Sequence, residues 1–234
     1  PEAATDAPRL RYGAAALIGL AYAALILSQA RGAFVGSLAG FAALALVHAR
    51  FRRWLLWLVI AAAAVSLAWE LMPTGGRSLF SIAEHFRNWN SHGHINPFLA
   101  RYALWQVALR MFFAHPLTGV GPDNYGAVFA DYFQGSIDGE RVWGSAHNLY
   151  LHQLAERGLL GFAVLAVVLG VLTVQAYRRA KANPNAWNLC ALGTMVAFLV
   201  INLTESAFQN QQLTTFVLFV WAWGKSNSQV PAGR

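Results

Sequence analysis

Three side chains combine residue type and surroundings in a way that could support chemistry. Arg31 is the only charged residue between positions 12 and 47, and an Arg near hydrocarbon costs about 2.5–3.5 kcal/mol to insert. Arg101 lies four residues before Trp105 on an apolar stretch. A planar guanidinium is a natural ligand for phosphate oxygens, so two of them could hold a diphosphate without a metal. The imidazole of His147 could take a proton from a hydroxyl at neutral pH.

Each of these three residues also has a structural interpretation. The Arg31 side chain could extend to the membrane interface, or pair with Glu70 or Glu205 at neighbouring helix ends. Arg101 could belong to an amphipathic helix that lies in the interface. His147 could cap or pack the first turn of a helix. The residues alone leave both interpretations open.

Other site chemistries fit the sequence poorly. His152 and Glu156 are four residues apart on one predicted helix face, so we expect them to form a structural pair. His85, His92 and His94 lack the spacing of a zinc site and have Asn- and Gly-rich surroundings. No Gly-x-Ser-x-Gly elbow or Gly-rich phosphate loop ending in Lys-Ser/Thr is present, which disfavours hydrolase and nucleotide-driven functions. The sequence therefore predicts no metal site.

The composition predicts a membrane protein. Of 234 residues, 57% are hydrophobic and only 12% are charged, against roughly 25% charged residues in soluble domains. The net charge of +7 could indicate nucleic acid, but the basic residues lie between apolar runs, so we expect no nucleic-acid partner. Cys190 is the single cysteine, which excludes a disulfide framework. The start at Pro1 predicts that the sequence is part of a longer chain.

Six apolar runs are candidates to cross a hydrocarbon core, which requires roughly 20 residues of helix. We expect helices because lipid offers backbone groups no other hydrogen-bond partners. The predicted spans are two within residues 12–47, separated by the polar stretch 28–32, followed by 54–71, 159–177, 187–203 and a shortened 213–224. The predicted fold is an all-α, polytopic integral membrane protein.

The basic residues orient these spans. Short cytoplasmic loops carry an excess of Lys and Arg, and ten basic residues fall on one side of the predicted spans: Arg9, Arg11, Arg50, Arg52, Arg53, Arg178, Arg179, Lys181, Lys225 and Arg234. Both ends of the sequence are therefore predicted to be cytoplasmic. The predicted organisation is three spans in residues 1–71, an outward segment at 72–157, and three spans with a cytoplasmic tail at 158–234.

The outward segment is too long to be structureless in a compact protein. Helical spacing of its apolar residues predicts a helix from Pro97 to His115, which Pro116 ends. A turn-rich stretch follows at residues 117–126. Another helix is predicted to begin near Ser145 and to continue into the fourth span.

Several short motifs follow one another on the predicted outward side: Ser28-Gln29-Ala30-Arg31-Gly32-Ala33 at a span end, Arg101 with Trp105, the run from His115 through Tyr125, Ala146-His147-Asn148-Leu149-Tyr150-Leu151, Glu156-Arg157-Gly158 and Gly161. With these motifs in this order, the sequence resembles the bacterial O-antigen ligase and O-antigen polymerase superfamily. The resemblance covers roughly residues 28–165.

The resemblance implies a glycosyltransferase of the bacterial inner membrane with its active site facing the periplasm. Such an enzyme moves a glycan from undecaprenyl diphosphate to an acceptor and needs no nucleotide sugar, metal or other cofactor. By motif, Arg31 and Arg101 would hold the diphosphate and His147 would be the general base. Asn148 and Trp105 are further substrate-binding candidates. Attack opposite the departing diphosphate would invert the anomeric configuration.

Within this superfamily we favour an O-antigen ligase, whose acceptor is lipid A-core lipopolysaccharide. An O-antigen polymerase uses a second lipid-linked glycan as acceptor, and a protein O-oligosaccharyltransferase uses a protein. Both would share the motifs. A transporter of lipid-linked glycans, from a different functional class, would need basic residues but has no use for His147 between Ala146 and Asn148.

Arg31→Lys keeps the positive charge but replaces a bidentate phosphate ligand by a point charge. If Arg31 binds the donor diphosphate, we expect donor binding to weaken by about tenfold, as for one lost charged hydrogen bond. The measurement is the affinity of the purified protein for the lipid-linked donor. Unchanged affinity would favour an Arg31 side chain that only reaches the interface.

Overall fold

The computed structural model describes residues 17, 20–22, 24–25, 31–49, 51–53, 56–57, 59–60, 97–137 and 139–227. Within these ranges the regular secondary structure is helical, apart from one isolated bridge between Ile137 and Glu140. The elements are α1 (Arg31–Val47), α2 (Pro97–Ala114), α3 (Phe129–Tyr132), α4 (Leu149–Ala182), α5 (Ala186–Ile201), a 3-10 turn (Ala207–Gln209) and α6 (Gln211–Ser226). The predicted all-α class is confirmed for this part of the chain.

Among the helices in these ranges, α4 is the one that is long and apolar enough to cross a membrane. α1 and α5 are apolar but shorter. The predicted spans 159–177, 187–203 and 213–224 coincide with α4, α5 and α6. The predicted spans at 54–71 and before residue 28 lie mostly outside the described residues, so the count of six spans stays a prediction.

α4 begins later than the sequence pattern predicts. Asn148 is its N-cap, because the Asn148 side-chain oxygen accepts a hydrogen bond from the Leu151 N–H at 3.0 Å. An N-cap residue has a non-helical backbone, so the predicted start near Ser145 is wrong. Asn185 and Asn210 cap α5 and α6 in the same way.

α1 and α5 pack closely along a stripe of glycines in α1. A methyl group at Gly36 would clash with Ile201, and one at Gly40 would lie 2.7 Å from the carbonyl oxygen of Gly193. Gly32 begins the same stripe, four residues before Gly36. Small residues at this spacing let two helix backbones approach closely. The stripe therefore fixes where the N-terminal end of α1 lies relative to the end of α5.

α2 packs on the first part of α4 and on the segment between the two helices. Its buried face carries Leu104 and Met111, which form one apolar core with Tyr125 and Phe129. Burying each large apolar side chain contributes about 1.5–3 kcal/mol. The Tyr125 hydroxyl donates to the Leu104 carbonyl at 2.9 Å, which satisfies its polar end. This core holds α2, and with it Arg101, against the beginning of α4.

The rest of α4 packs against α5 and α6. Buried side chains from the three helices form a second apolar core: Leu169, Ala176, Leu189, Leu192, Met195, Phe198 and Val217. Many other apolar side chains of α4 remain exposed, among them Val164, Val167, Val171 and Val174. An exposed apolar surface of this extent is typical of a helix that contacts lipid.

Gly40→Ala should destabilise the packing of α1 on α5, because the added methyl group would lie 2.7 Å from the Gly193 carbonyl oxygen. We expect a loss of about 1–3 kcal/mol, the usual cost of extra volume in a close-packed contact. Gly170→Ala in α4 is the matched control, since nothing lies within 4 Å of a methyl group there. Thermal unfolding of the purified protein in detergent measures both. Equal melting temperatures for the two variants would contradict the close contact.

Candidate active site

Residues from separate parts of the chain meet at the turn between α5 and α6, residues 202–206, here called the Glu205 turn. Arg101 comes from α2, His147 from the loop before α4, and Glu205 from the turn itself. The start of α1 lies against the same turn, because a methyl group at Gly32 would be 2.6 Å from Thr204 Oγ1 and 4.0 Å from Glu205 Cγ. Four elements therefore converge at one place.

Arg31 is the first residue of α1, directly before Gly32. Its backbone therefore lies near the Glu205 turn, while its side chain falls outside the described part of the structure. The two predicted diphosphate ligands, Arg31 and Arg101, thus belong to different helices that reach the same turn. The sequence suggests Glu205 as one possible partner of Arg31. In the structure, Glu205 is paired with Arg101 and His147.

Glu205 bridges these two side chains through its two carboxylate oxygens. Oε1 accepts a hydrogen bond from Arg101 Nη2 at 2.5 Å, and Oε2 lies 3.3 Å from His147 Nδ1. The three side chains are 34–41% exposed, so a ligand can reach them. The hydrogen bond from His147, together with the attraction of Arg101, lowers the pKa of Glu205 against the opposing effect of burial. Glu205 is therefore ionised at neutral pH.

His147 lies two residues before α4 and has a left-handed backbone with φ 46°. This conformation costs a residue other than glycine about 1–3 kcal/mol. Ser145 supports it, because the Ser145 hydroxyl accepts from the His147 N–H at 3.0 Å and lies 3.2 Å from the Ser206 hydroxyl. The Trp143 ring contacts the imidazole edge-on, with 5.8 Å between centroids. His147 is held at the Glu205 turn, and its predicted place in the first turn of the helix is wrong.

Asn148, a predicted substrate-binding residue, uses both ends of its side-chain amide within the protein. Besides capping α4, it donates from Nδ2 to the Leu203 carbonyl at 2.9 Å. Asn202 makes complementary contacts: its carbonyl accepts from the Leu149 N–H at 2.9 Å, and its side chain accepts from the Phe208 N–H at 3.0 Å. These hydrogen bonds tie the start of α4 to the Glu205 turn.

Arg101 and Trp105 lie one turn apart on α2. Arg101 Nε and Trp105 Nε1 are both buried, and neither has a hydrogen-bond partner within the part of the chain that the structure describes. Buried donors are rarely left without an acceptor. α2 therefore presents two donors that a bound anion could satisfy.

The turn-rich stretch after α2 packs against a break in α4. The Gly121 N–H donates to the Glu156 carbonyl at 2.9 Å, and the Leu159 N–H donates to the Pro116 carbonyl at 2.8 Å. Leu159 can donate outward because the backbone at Gly158, with φ 59°, leaves helical geometry. These hydrogen bonds fix the turn-rich stretch against the first part of α4.

The predicted pair of His152 and Glu156 is present, with 3.5 Å between Nε2 and Oε2 and both side chains almost fully buried. Glu156 also accepts from the Tyr125 N–H at 3.1 Å. Gln209 Nε2 lies 2.5 Å from His152 Nε2. The pair therefore links α4 to the turn-rich stretch and to the 3-10 turn.

The sequence does not single out Glu205, Ser145 or Trp143 as parts of a site. For Glu205 a signal exists in its position, since it is the only acid in the short outward turn at 205–212. Ser145 and Trp143 carry no comparable signal, because their contacts with His147 depend on its left-handed backbone.

His85, His92 and His94 lie outside the described residues. Inside them, no group of three or more His, Cys, Asp or Glu side chains could hold a metal ion.

Gly158→Ala should disrupt the contact between α4 and the turn-rich stretch, because a methyl group at this positive φ would clash with the Leu117 carbonyl. Gly139→Ala is the matched control, since Gly139 also has a positive φ (84°) but nothing lies within 4 Å of its added methyl group. We expect Gly139→Ala to cost about 1–2 kcal/mol and Gly158→Ala about 1–3 kcal/mol more. Denaturant unfolding measures both, and equal losses would contradict the tight contact.

Comparison with known protein families places the sequence in one of them. The family model described as O-antigen ligase matches residues 14–166. No curated protein matches the chain. The matched range contains Arg31, Arg101 and His147 and ends within α4, whereas Glu205 lies beyond it. Because the match covers more than half of the sequence, the chain belongs to the O-antigen ligase family.

Proposed function

We propose that this protein is an O-antigen ligase, an inverting and metal-independent glycosyltransferase that acts at the periplasmic face of the bacterial inner membrane. It transfers O-antigen glycan from undecaprenyl diphosphate to lipid A-core lipopolysaccharide. Family membership supports a ligase- or polymerase-type reaction and implies lipid-linked glycan substrates in a membrane. The observation that carries the assignment of roles is the bridge that Glu205 makes between Arg101 and His147.

His147 is the proposed general base. In this role Nδ1, 3.3 Å from Glu205 Oε2, donates to the carboxylate, and Nε2 is the ring nitrogen that accepts a proton. Nε2 takes the proton from the acceptor hydroxyl as that oxygen attacks the anomeric carbon. Glu205 is ionised because of its lowered pKa, so it stabilises the imidazolium that forms. This is the role of the carboxylate that orients a catalytic His in a hydrolytic triad.

Arg101 and Arg31 are the proposed ligands of the diphosphate. The new glycosidic bond forms on one face of the anomeric carbon while the bond to the diphosphate oxygen breaks on the other, which inverts the configuration. The leaving undecaprenyl diphosphate gains negative charge, and guanidinium groups already in place stabilise that charge. Arg101 Nε and Trp105 Nε1 are donors without a partner among the described residues, which supports a bound anion beside α2.

Ion pairing with Glu205 gives Arg101 a second role before the donor binds. The Arg101 guanidinium is planar and has five donors, and the contact to Glu205 uses Nη2. The same guanidinium can therefore hold Glu205 and a phosphate oxygen together. Because Glu205 also contacts His147, Arg101 would keep the proposed base and the proposed diphosphate site at a fixed separation.

A polymerase or a protein O-oligosaccharyltransferase would use the same donor and the same three side chains. The ligase differs from them in its acceptor, lipid A-core. A lipid-linked glycan transporter would have no need of an imidazole hydrogen-bonded to an ionised carboxylate. The His147–Glu205 contact therefore favours an enzyme.

Purified protein with undecaprenyl-diphosphate-linked glycan should glycosylate lipid A-core, and EDTA should leave the rate unchanged. Chain extension of the donor in the absence of lipid A-core would identify a polymerase instead. A transporter would transfer glycan to neither acceptor and would instead move the intact donor across the membrane of a vesicle. Transfer is read from the size and lipid attachment of the glycan on a gel, and transport from the side of the vesicle membrane on which the intact donor is found.

His147→Ala should reduce transfer by about 10²–10⁴-fold, the usual contribution of a general base. Glu205→Gln keeps the shape but loses the charge, so we expect about a tenfold to hundredfold loss in kcat. Glu140→Gln, at an exposed carboxylate in the loop between α3 and α4, is the matched control and should keep the wild-type rate. Long glycan chains on lipid A-core in cells that carry only His147→Ala would remove His147 from the mechanism.

A further inference from the structure

The end of α4 that lies away from the Glu205 turn gathers basic and aromatic side chains. Arg179 and Lys181 are in its last turn, and Lys225 is in the last turn of α6. Arg179 lies roughly 20 residues beyond Gly158, which is about 30 Å along a helix. This cluster is therefore separate from the candidate active site.

Arg179 is the central residue of this cluster. Its guanidinium carbon lies 4.7 Å from the centroid of the Trp221 ring. Its Nε, Nη1 and Nη2 atoms are all buried, and none has a hydrogen-bond partner within the described ranges. The Trp221 ring is held in place because its Nε1 donates to the Leu172 carbonyl at 2.9 Å. Lys225 Nζ lies 5.8 Å from the same ring.

No carboxylate within the part of the chain that the structure describes pairs with these basic groups. The carboxylates in that part are confined to residues 123–156 and to the Glu205 turn: Asp123, Asp131, Glu140, Glu156 and Glu205. A guanidinium with buried donors requires an acceptor. The buried donors of Arg179 therefore require an acceptor from another source, and the exposed Lys225 adds a second positive charge beside them.

We infer that Arg179, Trp221 and Lys225 form a binding site for the phosphate of an anionic phospholipid headgroup. Basic pockets between spanning helices bind such headgroups, and the Arg179 guanidinium of α4 lies over the Trp221 ring of α6. Trp and Tyr rings prefer the membrane interface, and Trp187, Trp223 and Tyr177 are at the same end of these helices. The apolar surface of α4 beside the cluster suits the lipid tails. The inference does not depend on the proposed reaction.

The test uses the whole purified protein in a neutral detergent, with phosphatidylglycerol, phosphatidylcholine or inorganic phosphate added separately. Native mass spectrometry measures lipid retention, and thermal unfolding measures stabilisation. We expect the wild type to retain phosphatidylglycerol more strongly than phosphatidylcholine. Arg179→Gln should weaken phosphatidylglycerol retention by about fivefold, the effect of one basic residue near an anionic surface, and should leave phosphatidylcholine retention unchanged.

Arg178→Gln is the matched control, because Arg178 is the exposed neighbour of Arg179 in the same helical turn. It should change phosphatidylglycerol retention less than Arg179→Gln does. An equal loss in the two variants, or no loss in Arg179→Gln, would overturn the site. Stabilisation by inorganic phosphate equal to that by phosphatidylglycerol would overturn the choice of a lipid. If Arg179→Gln does not fold, Arg179→Lys should still weaken retention, and unchanged retention there would overturn the role of the guanidinium.

Discussion

The Glu205 carboxylate lies between a guanidinium and an imidazole, and much of the surrounding structure serves to bring it there. Through its two oxygens, this one carboxylate contacts Arg101 and His147, which come from different parts of the chain. Asn148 and Asn202 tie the start of α4 to the turn that carries Glu205. The position of the Glu205 turn therefore determines where Glu205 meets Arg101 and His147.

Apolar periodicity is a local property, and it suffices to predict the bounds of α2, α5 and α6 to within about two residues. The contacts of Glu205 join it to residues 104 and 58 positions away, and no local pattern encodes such pairing. The same limit applies to His147, because its backbone conformation depends on Ser145 and on the nearby Ser206 hydroxyl. Motif order predicts Arg101 and His147 as site residues. The three-dimensional packing then brings Glu205 into contact with both.

Two groups of glycines support the site in different ways. In α1, Gly36 and Gly40 are needed because α5 is too close for a side chain. At Gly119 and Gly158 the backbone has a positive φ and also lies against another segment. The first group sets the position of a helix, and the second sets the path of a loop. A motif that contains such a glycine beside a candidate site residue therefore specifies backbone structure as well as site chemistry.

Asn148, Asn185 and Asn210 cap the last three helices, and all three side chains are neutral. Asp caps a helix as well as Asn does, but it would add a negative charge at the start of α4, beside His147. The peptide dipoles of a helix give its N-terminus about half a positive elementary charge. With a neutral cap, the helix end carries no negative charge of its own, and Glu205 is the acid that lies beside it. The backbone of α4 therefore contributes an attractive field for anions at the place where a phosphate group is proposed to depart.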